Sequence, residues 1–211
     1  EVLEQNRSQI DTSDVLSQLG LTQHAYFIVS LHREENVDNS ERLTAFVDTL
    51  SNLAAKYDMP VIVSTHPRTR NRLDTLDTRT LDPRIRWMTP FAFHDYNKLQ
   101  KDALCAISDS GTIAEESSIL DFPAVTPRDA IERPEGLDVG CIIMSKLDCS
   151  AILNGVDMAI RMFRERDMSD LPRPVPADYC ITNTSERVVS LILGTAPLSN
   201  AWDGIRTNDL T

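Results

Sequence analysis

Short apolar runs alternate with longer segments whose apolar residues recur at three and four positions, the pattern of strands that each lead into a helix. Ala25-Tyr-Phe-Ile-Val-Ser-Leu31 predicts a first buried strand, and the segment from about Ser40 to Tyr57 sets Leu43, Phe46, Val47, Leu50, Leu53 and Ala54 on one helical face. Pro60-Val-Ile-Val-Ser-Thr65 predicts a second strand, with a helix behind it to about Leu76. Arg84-Ile-Arg-Trp-Met88 predicts a third strand, before a helix over about 95–102. Ala103-Leu-Cys-Ala-Ile107 predicts a fourth, and Ser110-Gly111-Thr112 then opens a helix through Leu120. Pro123-Ala-Val-Thr126 and Gly140-Cys-Ile-Ile-Met144 are the fifth and sixth.

Helices over about 150–166 and 185–193 close the domain, separated by the proline-rich Leu171-Pro-Arg-Pro-Val-Pro176. At the other end, Ser13 to Leu19 backed by Gly20 reads as a brief helix. The polar run Glu1 to Ile10 reads as an exposed connector. The expected organisation is a connector over 1–12, one domain over 13–194 and a tail over 195–211, in a piece of a longer chain.

Six strands alternating with helices define an α/β fold, a doubly wound parallel sheet that seats ligands at the carboxyl ends of its strands. His32, Arg33, His66, Arg68, Ser110 and Arg133 all fall at such ends. The stretch Ser108-Asp-Ser-Gly-Thr-Ile-Ala-Glu-Glu116 carries the most chemistry. Gly111 lets backbone approach a phosphate closely, Ser110 and Thr112 add hydroxyl donors, and the Glu116 carboxylate can accept from both hydroxyls of a ribose. Arg133, on the loop after the next strand, brings a cation to a diphosphate. Phosphate and ribose together indicate a nucleotide.

Each residue also has an ordinary reading. Ser-Gly is a common helix cap, and His32, suited to acid–base work or to donating to a phosphate, is equally a loop histidine with a backbone partner. His66 and Arg68 face the ligand or cap the helix that follows. Tyr96 lies against a flat base or packs with Phe91 and Phe93. No G-x-G-x-x-G follows the first strand, which argues against a nicotinamide, and no cofactor is expected.

Composition narrows the partners. The formal charge of −11, from 32 acidic and 21 basic residues, comes without any Lys/Arg-dense stripe and argues against nucleic acid. An anionic ligand must therefore be met by a few local cations. Cys105, Cys141, Cys149 and Cys180 form no C-x-x-C pair, and the four histidines show no paired spacing, so neither disulfides nor a metal is expected. The expected setting is a reducing cytoplasm. With 41% hydrophobic residues but no long apolar run, no membrane span is expected.

His32-Arg-Glu-Glu-Asn36, the Ser108–Glu116 stretch and Glu132-Arg-Pro-Glu135, in this order, resemble the non-hydrolysing UDP-N-acetylglucosamine 2-epimerases over about 20–165. Ser64-Thr-His-Pro-Arg68 and Phe93-His-Asp-Tyr-Asn-Lys-Leu-Gln100 look most like the capsule and O-antigen branch, similar to UDP-N-acetyl-L-fucosamine synthases. The resemblance implies the C-terminal, UDP-holding half of a GT-B arrangement, with the sugar in a cleft against a missing N-terminal domain. It places His32 near the diphosphate and active centre, Arg33 beside it, Ser110 and Gly111 at the phosphates, Glu116 at the ribose, Arg133 at the diphosphate and Tyr96 with the uracil. Thr112 stands where the family's main branch has Gly, and His66 where it often has Asn.

The implied reaction eliminates UDP to a 2-acetamidoglycal and adds it back with C2 inverted, using carboxylates of the missing domain. A homodimeric, cytoplasmic enzyme is implied, with this chain alone inactive. Two other readings stay open: the donor-binding domain of a GT-B glycosyltransferase, and a non-catalytic nucleotide-sugar-binding module.

Overall fold

A computed structural model describes residues 1–33, 36, 39–73, 82–169 and 174–202. Expectations for Glu34, Glu35, residues 74–76, residues 171–173 of the proline-rich connector and the tail beyond 202 lie outside these. Six strands form one sheet: β1 (Phe27–Ser30), β2 (Val61–Ser64), β3 (Ile85–Met88), β4 (Cys105–Ser108), β5 (Ala124–Pro127) and β6 (Ile143–Ser145). Every pairing is parallel and the order is β3-β2-β1-β4-β5-β6, the doubly wound, Rossmann-like arrangement expected of a GT-B half.

Alternation along each strand feeds two cores. Phe27, Val29, Val61, Val63 and Val125 face one layer, formed by α4 (Ser40–Tyr57) and α9 (Cys149–Met168). Ile28, Ile62, Ala106 and Ala124 face the other, formed by α6 (Phe93–Lys101) and α7 (Ile113–Leu120). The predicted stripe of α4 is buried throughout, Leu43 to Ala54. Its start is set by Asn39, whose side chain accepts from the N–H groups of Glu41 and Arg42. Asp157, midway along α9, ties that helix to the C-terminal end of α4, accepting from Lys56 and, at 2.5 Å, from the Tyr57 hydroxyl. Short helices α5 (Pro67–Leu73) and α8 (Glu135–Asp138) complete the strand connections.

Two stretches differ from expectation. Residues 2–11 fold as α1 (Val2–Gln5) and α2 (Arg7–Asp11), and with α3 (Val15–Leu19) they lie on α6 and α7 rather than standing free. Ile10 is completely buried beside Ile28 and Leu99, and Arg7 donates to the carbonyl of Ile119. Ile10, with Leu3 packed against the same layer, seats the segment. At the other end, α10 (Thr184–Trp202) runs well past Leu193 and through Pro197. It does not close the domain: Val188, Val189, Leu191, Ile192 and Leu193 are all about half exposed or more. Its first turn is held by Glu1, whose carboxylate accepts from the Ser185 N–H and hydroxyl.

Candidate functional site

The helices after β1 and β4 leave on opposite faces of the sheet, so the loops following these two neighbouring strands part and open a crevice. Asp109, the first residue beyond β4, fills the bottom of it and is completely buried. Its own N–H donates to Ser30 at the end of β1. Its carboxylate then gathers the whole β1 loop: it accepts from the N–H of His32 at 3.1 Å, the N–H of Arg33 at 3.0 Å and the Asn36 amide at 3.1 Å. His32 Nδ1 lies 2.9 Å from the same carboxylate.

Burial penalises the Asp109 charge, but these donors outweigh it and hold the carboxyl below its ordinary range. The same hydrogen bond raises the His32 pKa above its usual value, against a smaller opposing effect of burial. A carboxylate on Nδ1 places a proton there, and the ring is 45% exposed.

Above Asp109 two guanidiniums meet over Gly111. Arg33 Nε donates to the Asp109 carbonyl at 3.0 Å, and Arg133 donates to the Gly111 carbonyl while its Nε pairs with Glu115 at 2.8 Å. A Cβ on Gly111 would stand 3.5 Å from Arg133 Nη1 and 3.9 Å from Arg33 Nη2, so the glycine keeps open the space between the two cations. Glu132 braces Arg33 from behind, at 3.3 Å, and is itself held at 2.6 Å by Arg128, only 3% exposed. The Arg128 hydrogen bond drives the Glu132 carboxyl down to about 2. Asn36 passes the network on to Arg42 at 3.0 Å.

Along α7 the polar groups form a second chain. Ser110 Oγ and Thr112 Oγ1 are 3.0 Å apart, and Thr112 Oγ1 donates to Glu116 Oε1 at 2.7 Å. Glu116 Oε2 accepts from Gln100 Nε2 of α6 at 2.8 Å. Ser110, Thr112 and Glu116 thus line one side of the opening and Arg33, Gly111 and Arg133 the other.

Tyr96 sits deeper. Its ring is partly buried against the core layer, as is that of Phe91. His66 is exposed at the end of β2, one strand from β1. Arg68 belongs to α5, and its side chain lies outside the described residues.

Asp109, Asn36, Gln100, Arg128 and Glu132 were not singled out from the sequence. Asp109, Asn36, Glu132 and Gln100 stood inside the quoted motifs, and for Asp109 the position directly after a strand at the switch point was the available signal. A cavity of about 440 Å³ opens at the opposite, amino-terminal edge of the sheet among Phe122, Ile142, Met162 and Phe163, away from all of these groups. Among the described residues no cluster of His, Cys, Asp and Glu is placed to hold a metal, and no helix is long and apolar enough to cross a membrane.

A doubly wound parallel sheet with a crevice at its switch point defines the Rossmann-like class of α/β proteins. The chain belongs to the UDP-N-acetylglucosamine 2-epimerase family, whose profile matches residues 1–193. It is 35% identical over 142 residues to the UDP-N-acetylglucosamine 2-epimerase of Methanocaldococcus jannaschii, which covers 66% of this chain and 39% of that protein.

Among solved structures, that of UDP-N-acetylglucosamine 2-epimerase from Rickettsia bellii superposes with a TM-score of 0.82 at 37% identity, over 94% of this chain and 52% of the other. The Methanocaldococcus jannaschii enzyme in complex with UDP-GlcNAc and UDP superposes with a TM-score of 0.77 at 29% identity, over 90% of this chain and 51% of the other. The chain therefore spans about half the length of these solved relatives.

Proposed function

We propose that this chain is the UDP-holding, C-terminal half of a nucleotide-sugar C2 epimerase that works on a UDP-N-acetylhexosamine. The observation that carries the proposal is the convergence of Arg33 and Arg133 on Gly111 beside the Asp109-anchored His32, with the Glu116 carboxylate further along the same opening. Two guanidiniums and an imidazolium meet a diphosphate, and a carboxylate meets a ribose diol. The complex of a relative with UDP-GlcNAc and UDP supports the ligand class.

In the reaction proposed, a base removes the proton from C2 while the C1–O bond breaks, and UDP leaves with that electron pair. A 2-acetamidoglycal remains. Return of a proton to the other face of C2, with attack of the UDP oxygen on C1, restores the nucleotide sugar with C2 inverted. The acid–base carboxylates for C2 belong to the other half of the protein. The residues of this chain act on the leaving group. Arg33, Arg133 and protonated His32 stabilise the charge that grows on the diphosphate, in a crevice where their positions are fixed before UDP arrives. Glu116 keeps the nucleotide from departing while the glycal is turned over.

The proposed setting is a homodimeric cytoplasmic enzyme supplying capsule or O-antigen sugars. The test is solvent exchange: UDP-N-acetylglucosamine in D2O should gain deuterium at C2 with the full-length protein and none with the 211-residue chain. Exchange by this chain alone would refute the division of labour. Transfer of the sugar to an added acceptor without C2 inversion would identify a glycosyltransferase donor domain instead.

A further inference from the structure

Glu116 is already held on both oxygens. Thr112 Oγ1 donates to Oε1 at 2.7 Å, and Gln100 Nε2, from a different helix, donates to Oε2 at 2.8 Å. A carboxylate offers about four lone-pair directions, so two such bonds fix its plane and leave the remaining pairs pointing outward. A neutral amide does this without cancelling the charge, as a lysine at the same place would. We infer that Gln100 is a positioning residue for ribose recognition: it sets the Glu116 carboxylate in the orientation that accepts both hydroxyls of the nucleotide's ribose. The inference rests on the nucleotide reading of the site.

The environment of Gln100 favours this over simple packing. Its side chain is completely buried, and its Nε2 reaches across from α6 to Glu116 of α7. Among the described residues its buried Oε1 has no hydrogen-bond partner, and neither has the buried Oδ1 of Asn97, one turn earlier on the same helix. A buried amide with an unmet acceptor is unfavourable for folding, and the bond to Glu116 is the use to which its donor is put. Thr112 supplies the opposite jaw of the same clamp, so the two residues act on Glu116 together.

The experiment compares UDP with 2′,3′-dideoxyuridine 5′-diphosphate by calorimetric titration into this chain and into its Gln100→Met variant, which keeps the volume and removes the donor. The wild type should prefer UDP. In Gln100→Met that preference should shrink by about 10-fold or more, the worth of a lost hydrogen bond to a charged group, while affinity for the dideoxy nucleotide stays within about twofold.

Equal weakening of both nucleotides would show that Gln100 only supports the fold, and an unchanged preference would show that Glu116 does not depend on it; either overturns the inference. A wild type that binds both nucleotides without preference would remove Glu116 from the ribose while leaving the diphosphate site standing. A wild type that binds neither would overturn the nucleotide reading itself, and the inference with it.

Discussion

Replacing Asp109 by Asn tests the organisation of the crevice at its base. The carboxylate is completely buried and accepts from two backbone N–H groups, one side-chain amide and the His32 ring. The amide keeps the shape but carries an NH2 that must face at least one of these donors, and it removes the charge from all of them. Hydrogen bonds to a charged acceptor contribute about 1.5–3 kcal/mol each, and the remaining oxygen still accepts one or two. Because the His32 ring is 45% exposed, solvent screens its share, so the three N–H donors carry most of the effect. The expected loss is about 2–4 kcal/mol, a fall in Tm of roughly 5–15 °C for a domain of this size.

The pH dependence follows from the two shifts. Asp109 has a lowered pKa, so its contribution is present above the ordinary value of 3.8 and lost as pH falls through the folded value. His32 has a raised pKa, so its contribution is present below 6.5 and lost as pH rises through the folded value. The gap in stability between wild type and Asp109→Asn should therefore be widest from about 4 to 6.5 and narrow on both sides. Thermal melts across pH, with an NMR titration of His32, measure both effects. A variant whose Tm lies within about 2 °C of wild type and whose His32 titrates as before would refute the reasoning.

Other positions separate folding from binding. Gly111→Ala should fold almost normally, since its Cβ meets only ordinary contacts at 3.5 and 3.9 Å, yet weaken UDP binding by at least about 10-fold in a calorimetric titration. Gly136→Ala should do the reverse: its Cβ would lie 2.8 Å from the Ala114 Cβ and 3.3 Å from Cys141 Sγ, so denaturant unfolding should show a loss of about 1–3 kcal/mol. Ile10→Ala should cost about 2–5 kcal/mol in the same assay, as a core residue does, whereas a free connector would show no change. UDP affinity should decline as pH rises through the raised His32 pKa, because the imidazolium loses the proton it offers the diphosphate.

The sheet was legible because each strand is a short apolar run and each covering helix has a clear stripe; α4 begins and ends where Asn39 and the last apolar turn place it. The site was legible as far as topology reaches: residues after β1, β4 and β5 meet at one edge, and His32, Arg33, Ser110, Gly111, Thr112, Glu116 and Arg133 do gather there.

What escaped is what depends on burial. Asp109 looks like any polar loop residue until the β1 loop is seen to close over it. Gln100 looks like part of a solvated helix face until α7 covers it. Ile10 was hidden by the charged residues around it. The length of α10 escaped for a different reason: Gly194 and Pro197 mark a helix end by propensity, and the observed helix runs through both.

The measurement that bears most directly on the central claim is a calorimetric titration of UDP into this chain, beside Arg133→Ala and Glu116→Ala, with UMP as second ligand. Binding that weakens in both variants, and weakens again when UDP is replaced by UMP, is the predicted result: a diphosphate on the Arg33–Gly111–Arg133 side and a ribose on Glu116. A folded chain that gives no heat with either nucleotide, or binds UDP equally well in all three forms, would contradict it.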